Sequence, residues 1–345
     1  MTSPQATTRE IPPEVQEAIR TATGMELLRV RETIPRPGST VWRLSAGETT
    51  NERRLIVKVS RFLRLEDEMQ ASKRERVQRE FKALSWLYEA LAPHDGIRAP
   101  EPLLCLPDQL ALVMEERSGR TLQQWILTPA AELDVERLTQ AFETAGQAIA
   151  LMQQLAARPD EPLDLPGLLA YNELRLGRLE QLGSISRSLA GKVRAASDRW
   201  RGQVEGGATQ VVTHGDFCPG NLLLDGEELF VLDLAMIGSG SIYHDLTYCH
   251  EHLERYLVRH RNRPPRELIR RLQSALLAGY SPTAGIEAPL FRLGQLRHHL
   301  NFLVNSHEPT TGIRRLVRRI DRALALRNLG SWLDGRGVSP VAARS

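Results

Sequence analysis

A short stretch of the chain carries four polar side chains whose types suit chemistry on a phosphate group. Three lie in His214-Gly215-Asp216-Phe217-Cys218-Pro219-Gly220-Asn221, and the fourth is Asp233. Phosphoryl transfer needs a carboxylate that orients and deprotonates a hydroxyl, together with oxygen ligands for Mg²⁺. Asp216 could be that carboxylate, and Asn221 and Asp233 could hold the metal, because Mg²⁺ prefers hard oxygen donors. His-Gly-Asp alone is a common tripeptide, so it is the joint spacing that predicts this chemistry.

The residues between Asn221 and Asp233 predict how the two metal ligands meet. Two apolar runs flank Asp225-Gly226-Glu227-Glu228, and Asp-Gly between apolar runs favours a β-hairpin. A four-residue loop would bring Asp233 back beside Asn221. A two-residue turn at Asp225-Gly226 would shift that register, so the convergence depends on the turn.

The sequence of this stretch resembles that of the aminoglycoside phosphotransferase and choline kinase-like family. In that family the loop has the pattern H-G-D-x-x-x-x-N and is followed by a hairpin and an Asp. The resemblance implies a protein-kinase-like fold that uses ATP and Mg²⁺, with Asp216 as base and Asn221 and Asp233 as metal ligands. It implies that His214 braces the loop and that Asp245 anchors it. Leu234-Ala235 replaces the Phe-Gly that follows the metal Asp in protein kinases, which argues against a protein kinase.

Lys58 lies in the apolar strand Leu55-Ile56-Val57-Lys58-Val59, where an unpaired ammonium would be costly to bury. In kinases a lysine at this position contacts the α- and β-phosphates and pairs with a helix Glu. A strand-edge lysine with its head in water is the alternative. Glu80 is the favoured partner because it lies one helical turn from Val77 and from Leu84. Its competitors, Glu66, Glu68 and Glu75, fall in a densely charged stretch.

Two further segments are candidates for nucleotide contacts. Gly38 precedes Ser39 and Thr40, whose hydroxyls and N–H groups could contact phosphate, although a plain turn is nearly as consistent with the sequence. Further along, a strand runs into a polar connector, which predicts adenine bonded to backbone groups near Glu115 and Arg117, with Met114 against the ring.

The order of elements predicts an α+β, bilobal, protein-kinase-like fold. Strands and one long helix, about Leu65 to Leu91, precede a mainly helical part. We expect a tail and short helix over 1–23, a nucleotide-binding lobe with an antiparallel sheet over 24–116, a catalytic and acceptor-binding lobe over 117–335, and a flexible tail over 336–345. A cleft between such lobes is the usual place for a small-molecule site.

Composition narrows the class of partner. The chain has 345 residues, with 45 basic and 42 acidic side chains and a net charge of +3, which indicates no nucleic-acid partner. Three scattered cysteines suggest reduced thiols, and no apolar run could cross a bilayer. We therefore expect a cytoplasmic enzyme; the sequence leaves its oligomeric state open.

The acceptor is the least determined feature. We expect a small hydroxylated molecule, such as an aminoglycoside, amino alcohol or sugar, bound by the helices after Asp245. Polar side chains there mix charges: Tyr248, His250, Glu251, His252, Glu254, His298, His299 and Asn301. The basic helix from Ile313 to Leu329 is more consistent with packing its apolar face in the protein than with peripheral contact to a membrane. The alternative function is a kinase acting on a lipid-linked or cell-envelope glycan, which such a helix would favour. A non-catalytic nucleotide-binding scaffold is disfavoured because Lys58, Asp216, Asn221 and Asp233 are all present.

Overall fold

The computed structural model describes residues 10–24, 27–36, 38–47, 52–60, 70–156, 161–204, 208–259, 263–281, 288–307 and 313–334. Residues 1–9 and 336–345 of the predicted tails lie outside the described residues, as do Glu66 and Glu68. The chain forms two compact units, Met1–Gly119 with Asp225–Met236, and Arg120–Leu224 with Ile237–Ser345. The segment Asp225–Met236, here called the return segment, thus groups with the first unit, whereas the sequence-based boundary placed it in the second.

The elements alternate early in the chain and become mainly helical later. The strands are β1 Leu28–Pro35, β2 Ser39–Ala46, β3 Arg53–Ser60, β4 Ile97–Arg98, β5 Pro102–Leu106, β6 Ala111–Glu115, β7 Arg120–Thr121, β8 Val211–Thr213, β9 Leu222–Asp225, β10 Glu228–Val231 and β11 Gly238–Gly240. The helices are α1 Pro13–Thr23, α2 Gln70–Leu91, α3 Leu122–Ile126, α4 Val135–Leu155, α5 Leu165–Gln181, α6 Arg187–Arg201, α7 His244–Glu254, α8 Tyr256–Arg259, α9 Arg266–Tyr280, α10 Pro289–Asn305 and α11 Ile313–Leu333. The mixed α+β class is therefore confirmed.

The first unit is built on an antiparallel sheet in the order β1-β2-β3-β6-β5. Strands β2 and β3 pair in antiparallel, with Val41 opposite Lys58. Leu55 and Val57 of β3 are buried in a core with Val15 of α1. Because side chains alternate across a strand, Lys58 projects from the opposite face. Strand β1 was not predicted, since its side chains are mostly exposed and show no clear apolar alternation.

Helix α2 presents Val77, Glu80, Leu84 and Leu87 as buried side chains. From the sequence, helical spacing predicts Val77, Phe81, Leu84 and Tyr88 on one buried stripe, but Tyr88 is 38% exposed. Leu87 rather than Tyr88 continues the row one turn after Leu84. The correction leaves Glu80 on the buried side of the helix, where a carboxylate needs a cationic partner.

The return segment is attached to the first unit by backbone and side-chain bonds. Strand β10 pairs in parallel with β4, and the Leu229 N–H donates to the Gly96 carbonyl at 2.9 Å. Arg98 forms an ion pair with Glu228 at 2.9 Å. Strand β9 ends at Asp225 and β10 begins at Glu228, so Gly226, with φ +61°, and Glu227 connect them. This connection is neither of the two turns considered from the sequence.

The second unit is a helical assembly whose helix starts follow capping rules. Asp134, Asp164 and Ser186 each accept a backbone N–H at the start of α4, α5 and α6, which satisfies a donor that the helix itself cannot. Helices α4 and α9 approach so closely that a Cβ at Gly146 or Gly279 would overlap the backbone of the other helix.

Helix α11 packs apolar side chains of its C-terminal half within the second unit, whereas Leu316 near its start is 57% exposed. Leu329 and Trp332 are buried in a core with Leu296 and Leu300 of α10. This packing agrees with the preferred interpretation of the basic helix. None of the helices in the described ranges is long and apolar enough to span a bilayer.

Candidate active site

The first unit brings Lys58, Glu80 and Asp233 together. The Lys58 ammonium donates to Glu80 Oε1 and to Asp233 Oδ1, each at 2.7 Å. Of the two candidate glutamates within the described ranges, Glu75 and Glu80, Glu80 is the one that Lys58 contacts. Burial alone would lower the pKa of Lys58, but the attraction of Glu80 and Asp233 outweighs it and the pKa is raised. Lys58 is therefore a fixed cation at neutral pH.

Asp233 follows β10 in a backbone conformation that is unusual for an aspartate. Its φ is +62°, in the left-handed region that costs a non-glycine residue about 1–3 kcal/mol. The side chain is 43% exposed, whereas those of Lys58 and Glu80 are 14% and 6% exposed. A strained, accessible carboxylate beside a buried ion pair is well placed to exchange its lysine contact for a cation.

In the second unit the loop after β8 is held by a buried carboxylate. Asp245 Oδ2 accepts the His214 N–H at 2.6 Å, and Asp245 Oδ1 accepts the Gly215 N–H at 2.9 Å. Asp245 is fully buried in the first turn of α7. Gly215 has φ +80°, which favours glycine at this position. The geometry fits the anchoring role that the resemblance implied for Asp245.

His214 supports the same loop from inside. It is completely buried, packs edge-on against Phe217 at 5.6 Å, and its Nδ1 accepts the Asp216 N–H at 3.3 Å. The ring thus braces the backbone of Asp216, which is a structural contribution.

Asp216 is oriented by two hydrogen-bond donors. Asn221 Nδ2 donates to the Asp216 backbone oxygen at 2.9 Å and to its Oδ2 at 3.0 Å. The Tyr248 hydroxyl also bonds the Asp216 carboxylate; burial and then that negative charge raise the pKa of Tyr248, so the phenol stays protonated. Because Asn221 uses its amide nitrogen here, its Oδ1 accepts no bond from the described part of the chain and is available to a metal ion. An amide and a carboxylate oxygen are donors that fit Mg²⁺.

The predicted nucleotide contacts differ in accessibility. Ser39 is 8% exposed, while Thr40 is fully buried and its hydroxyl has no partner among the described residues. Contact of phosphate with the Thr40 hydroxyl would therefore require that side chain to become exposed.

The connector after β6 has few free backbone groups. The Glu115 N–H already bonds the Glu101 carbonyl at 3.0 Å, whereas the Arg117 N–H has no bond within the described ranges. The Arg117 guanidinium pairs with Glu115 at 2.8 Å and lies over Phe230 at 4.8 Å. Met114 is half-buried at the end of β6. Of Glu115 and Arg117, the two residues predicted to bond adenine, Arg117 is thus the one whose backbone N–H is free within the described ranges.

The polar residues after Asp245 separate into two groups. Glu251 is enclosed by His250 at 3.1 Å, Gln295 at 2.7 Å and His299 at 3.5 Å. Burial raises the pKa of Glu251, but these partners outweigh it and lower that pKa to about 2. This group is an internal network. No cluster of three His, Cys, Asp or Glu side chains that could hold a metal occurs in the described ranges.

The second group lines the surroundings of Asp216 with rings. Tyr248 packs against His298 at 5.0 Å, against His252 at 5.6 Å and against Phe302 at 6.2 Å. His298 also packs against His244 at 5.4 Å. The region around Asp216, where we predicted the acceptor, is therefore mainly aromatic.

Comparison with known proteins identifies the family. The sequence profile of the APH family, described as the phosphotransferase enzyme family, matches residues 39–286. The chain belongs to this family. It is accordingly a phosphotransferase, as the resemblance implied. A comparison with curated proteins found no match.

Solved structures of the same fold include antibiotic and amino-alcohol kinases. A choline/ethanolamine kinase family protein from Mesorhizobium loti is 15% identical, with a TM-score of 0.55, and 93% of this chain and 97% of that chain are covered. Amicoumacin kinase in complex with AMP-PNP, Ca²⁺ and Ami is 14% identical, with a TM-score of 0.53 and coverages of 94% and 95%. The streptomycin-ATP-APH(2")-IIa ternary complex is 15% identical, with a TM-score of 0.51 and coverages of 94% and 97%. At these identities the similarity shows the fold.

Proposed function

We propose that this phosphotransferase moves the γ-phosphate of ATP to a hydroxyl group of a small molecule, with Asp216 as the general base. The observation that carries the proposal is the Asp216 carboxylate, which Asn221 and Tyr248 orient on a loop anchored by Asp245. A carboxylate held in this way can accept a proton without moving, and such general-base catalysis contributes about 10²–10⁴-fold.

In the proposed reaction the acceptor hydroxyl donates a hydrogen bond to Asp216. Its oxygen attacks the γ-phosphorus as the bond from that phosphorus to the β–γ bridging oxygen breaks. The proton passes to the Asp216 carboxylate, and ADP leaves with the bridging oxygen. Because the transferred group carries its charge on three oxygens, the protein contributes mainly by positioning and electrostatics.

Lys58 is the proposed ligand of the α- and β-phosphates, and Glu80 keeps it extended. We assign Asn221 and Asp233 to Mg²⁺, which when bound neutralises phosphate charge. Complexes of the same fold with ATP, or with AMP-PNP and Ca²⁺, support a nucleotide with a divalent ion. Ser39 is the candidate for phosphate contact, and the Arg117 N–H, with Met114 and Glu115 beside it, is the candidate for adenine.

The test is ADP release from Mg·ATP across a panel of aminoglycosides, amino alcohols, sugars and hydroxy acids. We expect at least one acceptor to raise ADP release by wild type far above that by Asp216→Asn. Asp198→Asn, at an exposed aspartate of α6, is the matched control and should behave as wild type. If no acceptor separates wild type from Asp216→Asn, the chain is a nucleotide-binding scaffold and the proposal fails.

A further inference from the structure

Two arginines from different helices of the second unit gather around one tyrosine. The guanidinium carbon of Arg175, on α5, lies 5.0 Å from the centre of the Tyr171 ring. That of Arg297, on α10, lies 4.5 Å from the same centre. Arg175 Nη2 donates to the Tyr171 hydroxyl at 3.0 Å, and that hydroxyl donates to Asn301 Oδ1 at 2.8 Å. The tyrosine is thereby fixed, and it holds two positive charges on one surface.

Neither arginine has an acidic partner in the described part of the chain. Arg297 makes no hydrogen bond or ion pair there, and its Nε is buried and unbonded. Arg175 Nε is likewise buried and unbonded. Arg194, by contrast, bonds Glu173 and Glu180, each at 2.6 Å. A half-buried guanidinium without a counter-ion is costly, so two together need a reason.

Arg297, one of the two arginines, lies within electrostatic reach of the predicted acceptor region. Its positive charge acts on His244 and His298. The His298 ring packs against Tyr248 at 5.0 Å, and Tyr248 bonds Asp216. Burial lowers the pKa of His298, and the positive charge of Arg297 lowers it further. The pKa of Arg297 itself is lowered, mainly by burial. Tyr171 raises this pKa, and the positive charge of Arg175 lowers it.

The carboxylates of α7 are occupied elsewhere. Glu251 is bonded within the network of His250, Gln295 and His299, and Glu254 accepts a bond from Gln273 at 3.4 Å. Apart from the Asp216 carboxylate, the proposed base, these acidic side chains are therefore engaged by other residues, whereas Arg175 and Arg297 have no acidic partner in the described ranges. A cationic acceptor would be repelled from this surface, and an anion would complete it.

We propose that the acceptor carries, besides the hydroxyl that is phosphorylated, an anionic carboxylate or phosphate-ester group that Arg175 and Arg297 bind. This inference rests on the proposed function and names the substrate class of the same site. Guanidinium groups suit such a ligand because their planar N–H donors match carboxylate and phosphate oxygens two at a time. Tyr171 and Asn301 are positioning residues, which hold Arg175 and Arg297 in place.

The experiment compares acceptors that differ only in charge: glycerate and glycerol 3-phosphate against glycerol, glucuronate against glucose, and serine against ethanolamine. We expect kcat/KM for an anionic member to exceed that of its uncharged or cationic counterpart by about ten-fold or more, since hydrogen bonds to charged groups commonly give that factor. The carboxylate and phosphate arms distinguish the two anionic classes.

Variants assign the preference to the arginines. Arg297→Gln and Arg175→Gln should each raise KM for the anionic acceptor about ten-fold or more and leave KM for ATP unchanged. Arg297→Lys should restore part of the loss, because it keeps the charge without the planar fork. Arg201→Gln, at an exposed arginine of α6, is the matched control and should change nothing.

Calorimetry separates this inference from the proposed function. Glycerate, glucuronate and glycerol 3-phosphate are titrated into wild type and Arg297→Gln with the nucleotide site filled by Mg·ADP. Anion binding that Arg297→Gln abolishes supports the anion site even if no panel member is phosphorylated, in which case only the proposed function fails. Turnover that favours uncharged or cationic members, or the absence of anion binding to wild type, overturns the inference.

Discussion

At the scale of single residues, the contact of Lys58 with Glu80 combines a structural cost with a functional role. Glu80 is buried and the Lys58 side chain is 14% exposed; burial raises the pKa of Glu80 even though Lys58 lowers it. Removing one partner of a buried ion pair typically costs about 3–5 kcal/mol, because the other charge is left uncompensated. A variant that removes both charges should therefore regain stability without regaining activity.

We predict that Lys58→Met lowers the free energy of unfolding by about 3–5 kcal/mol and lowers kcat/KM for ATP by about 10²-fold or more. Lys58→Met combined with Glu80→Leu should recover most of the stability and none of the activity. Urea unfolding and ADP release measure the two effects. Arg53→Met breaks the more exposed pair with Glu101 and should cost no more than about 1 kcal/mol. Full activity in Lys58→Met would contradict the phosphate role.

Asn221 gives a second prediction at this scale. Its amide nitrogen orients Asp216, and we assign its oxygen to the metal. Asn221→Ala should raise the Mg²⁺ concentration for half-maximal activity by about ten-fold or more and lower kcat as well. Titration of activity with Mg²⁺ measures both. Asn172→Ala, at a buried asparagine of α5, is the control, and an unchanged Mg²⁺ requirement in Asn221→Ala would remove Asn221 from the metal site.

At the scale of elements, the first turn of α7 fixes the loop after β8. Asp245 accepts two backbone N–H groups there, so the loop is held by a helix that begins about thirty residues later. The return segment shows the same principle in the first unit, where β4 and Arg98 hold β10 just before Asp233. In both units a proposed active-site residue thus lies in a loop beside a strand or helix: Asp216 in the loop that α7 anchors, and Asp233 just after β10.

Asp245→Asn tests the anchoring. Its amide group would set an N–H donor against one of the two loop N–H groups, which should cost about 1–3 kcal/mol of unfolding free energy. We expect kcat to fall with it, while KM for ATP changes little. Asp198→Asn serves as the exposed control. A variant with unchanged kcat would show that the loop holds its conformation without Asp245.

At the scale of the whole molecule, buried histidines set the response to pH. Burial lowers the pKa of His244, His298 and His299, that of His298 well below its ordinary value. The unfolded chain binds these protons near pH 6.5 and the folded protein does not. The contribution of these histidines to stability is therefore expected to be constant above about pH 6.5 and to fall as the pH decreases below it.

We predict that each such histidine contributes a loss of ~1.4 kcal/mol per pH unit below that point. His298→Gln keeps a donor for the His244 carbonyl, which His298 Nε2 approaches at 3.2 Å, and should flatten the dependence by that amount. Urea unfolding at pH 7.5, 6.0 and 5.0 measures it, with His94→Gln, in the loop after α2, as control. An unchanged slope would show that His298 does not titrate as proposed.

Most of the chemistry of this protein could be predicted from its sequence, because the relevant groups are close together in the chain or follow simple periodicity. The interval from Asp216 to Asn221 needs only a local loop, and the α+β order of elements follows from the apolar patterns. Glu80 could be chosen because helical spacing places it beside Val77 and Leu84. Strand β1 and the exposure of Tyr88 escaped prediction, since short-range pattern does not report which neighbours cover a face.

The tertiary structure alone brought Tyr171, Arg175 and Arg297 together. They lie on α5 and α10, far apart in the chain, and nothing in the spacing of α5 distinguishes Tyr171 or Arg175 from ordinary helix-surface residues. Helical periodicity tells which side chains share a face, but not which helix packs there or whether an arginine finds a carboxylate. The phosphotransferase class could therefore be predicted from the sequence. The charge that we propose for the acceptor depends instead on how two helices that are distant in the chain pack together.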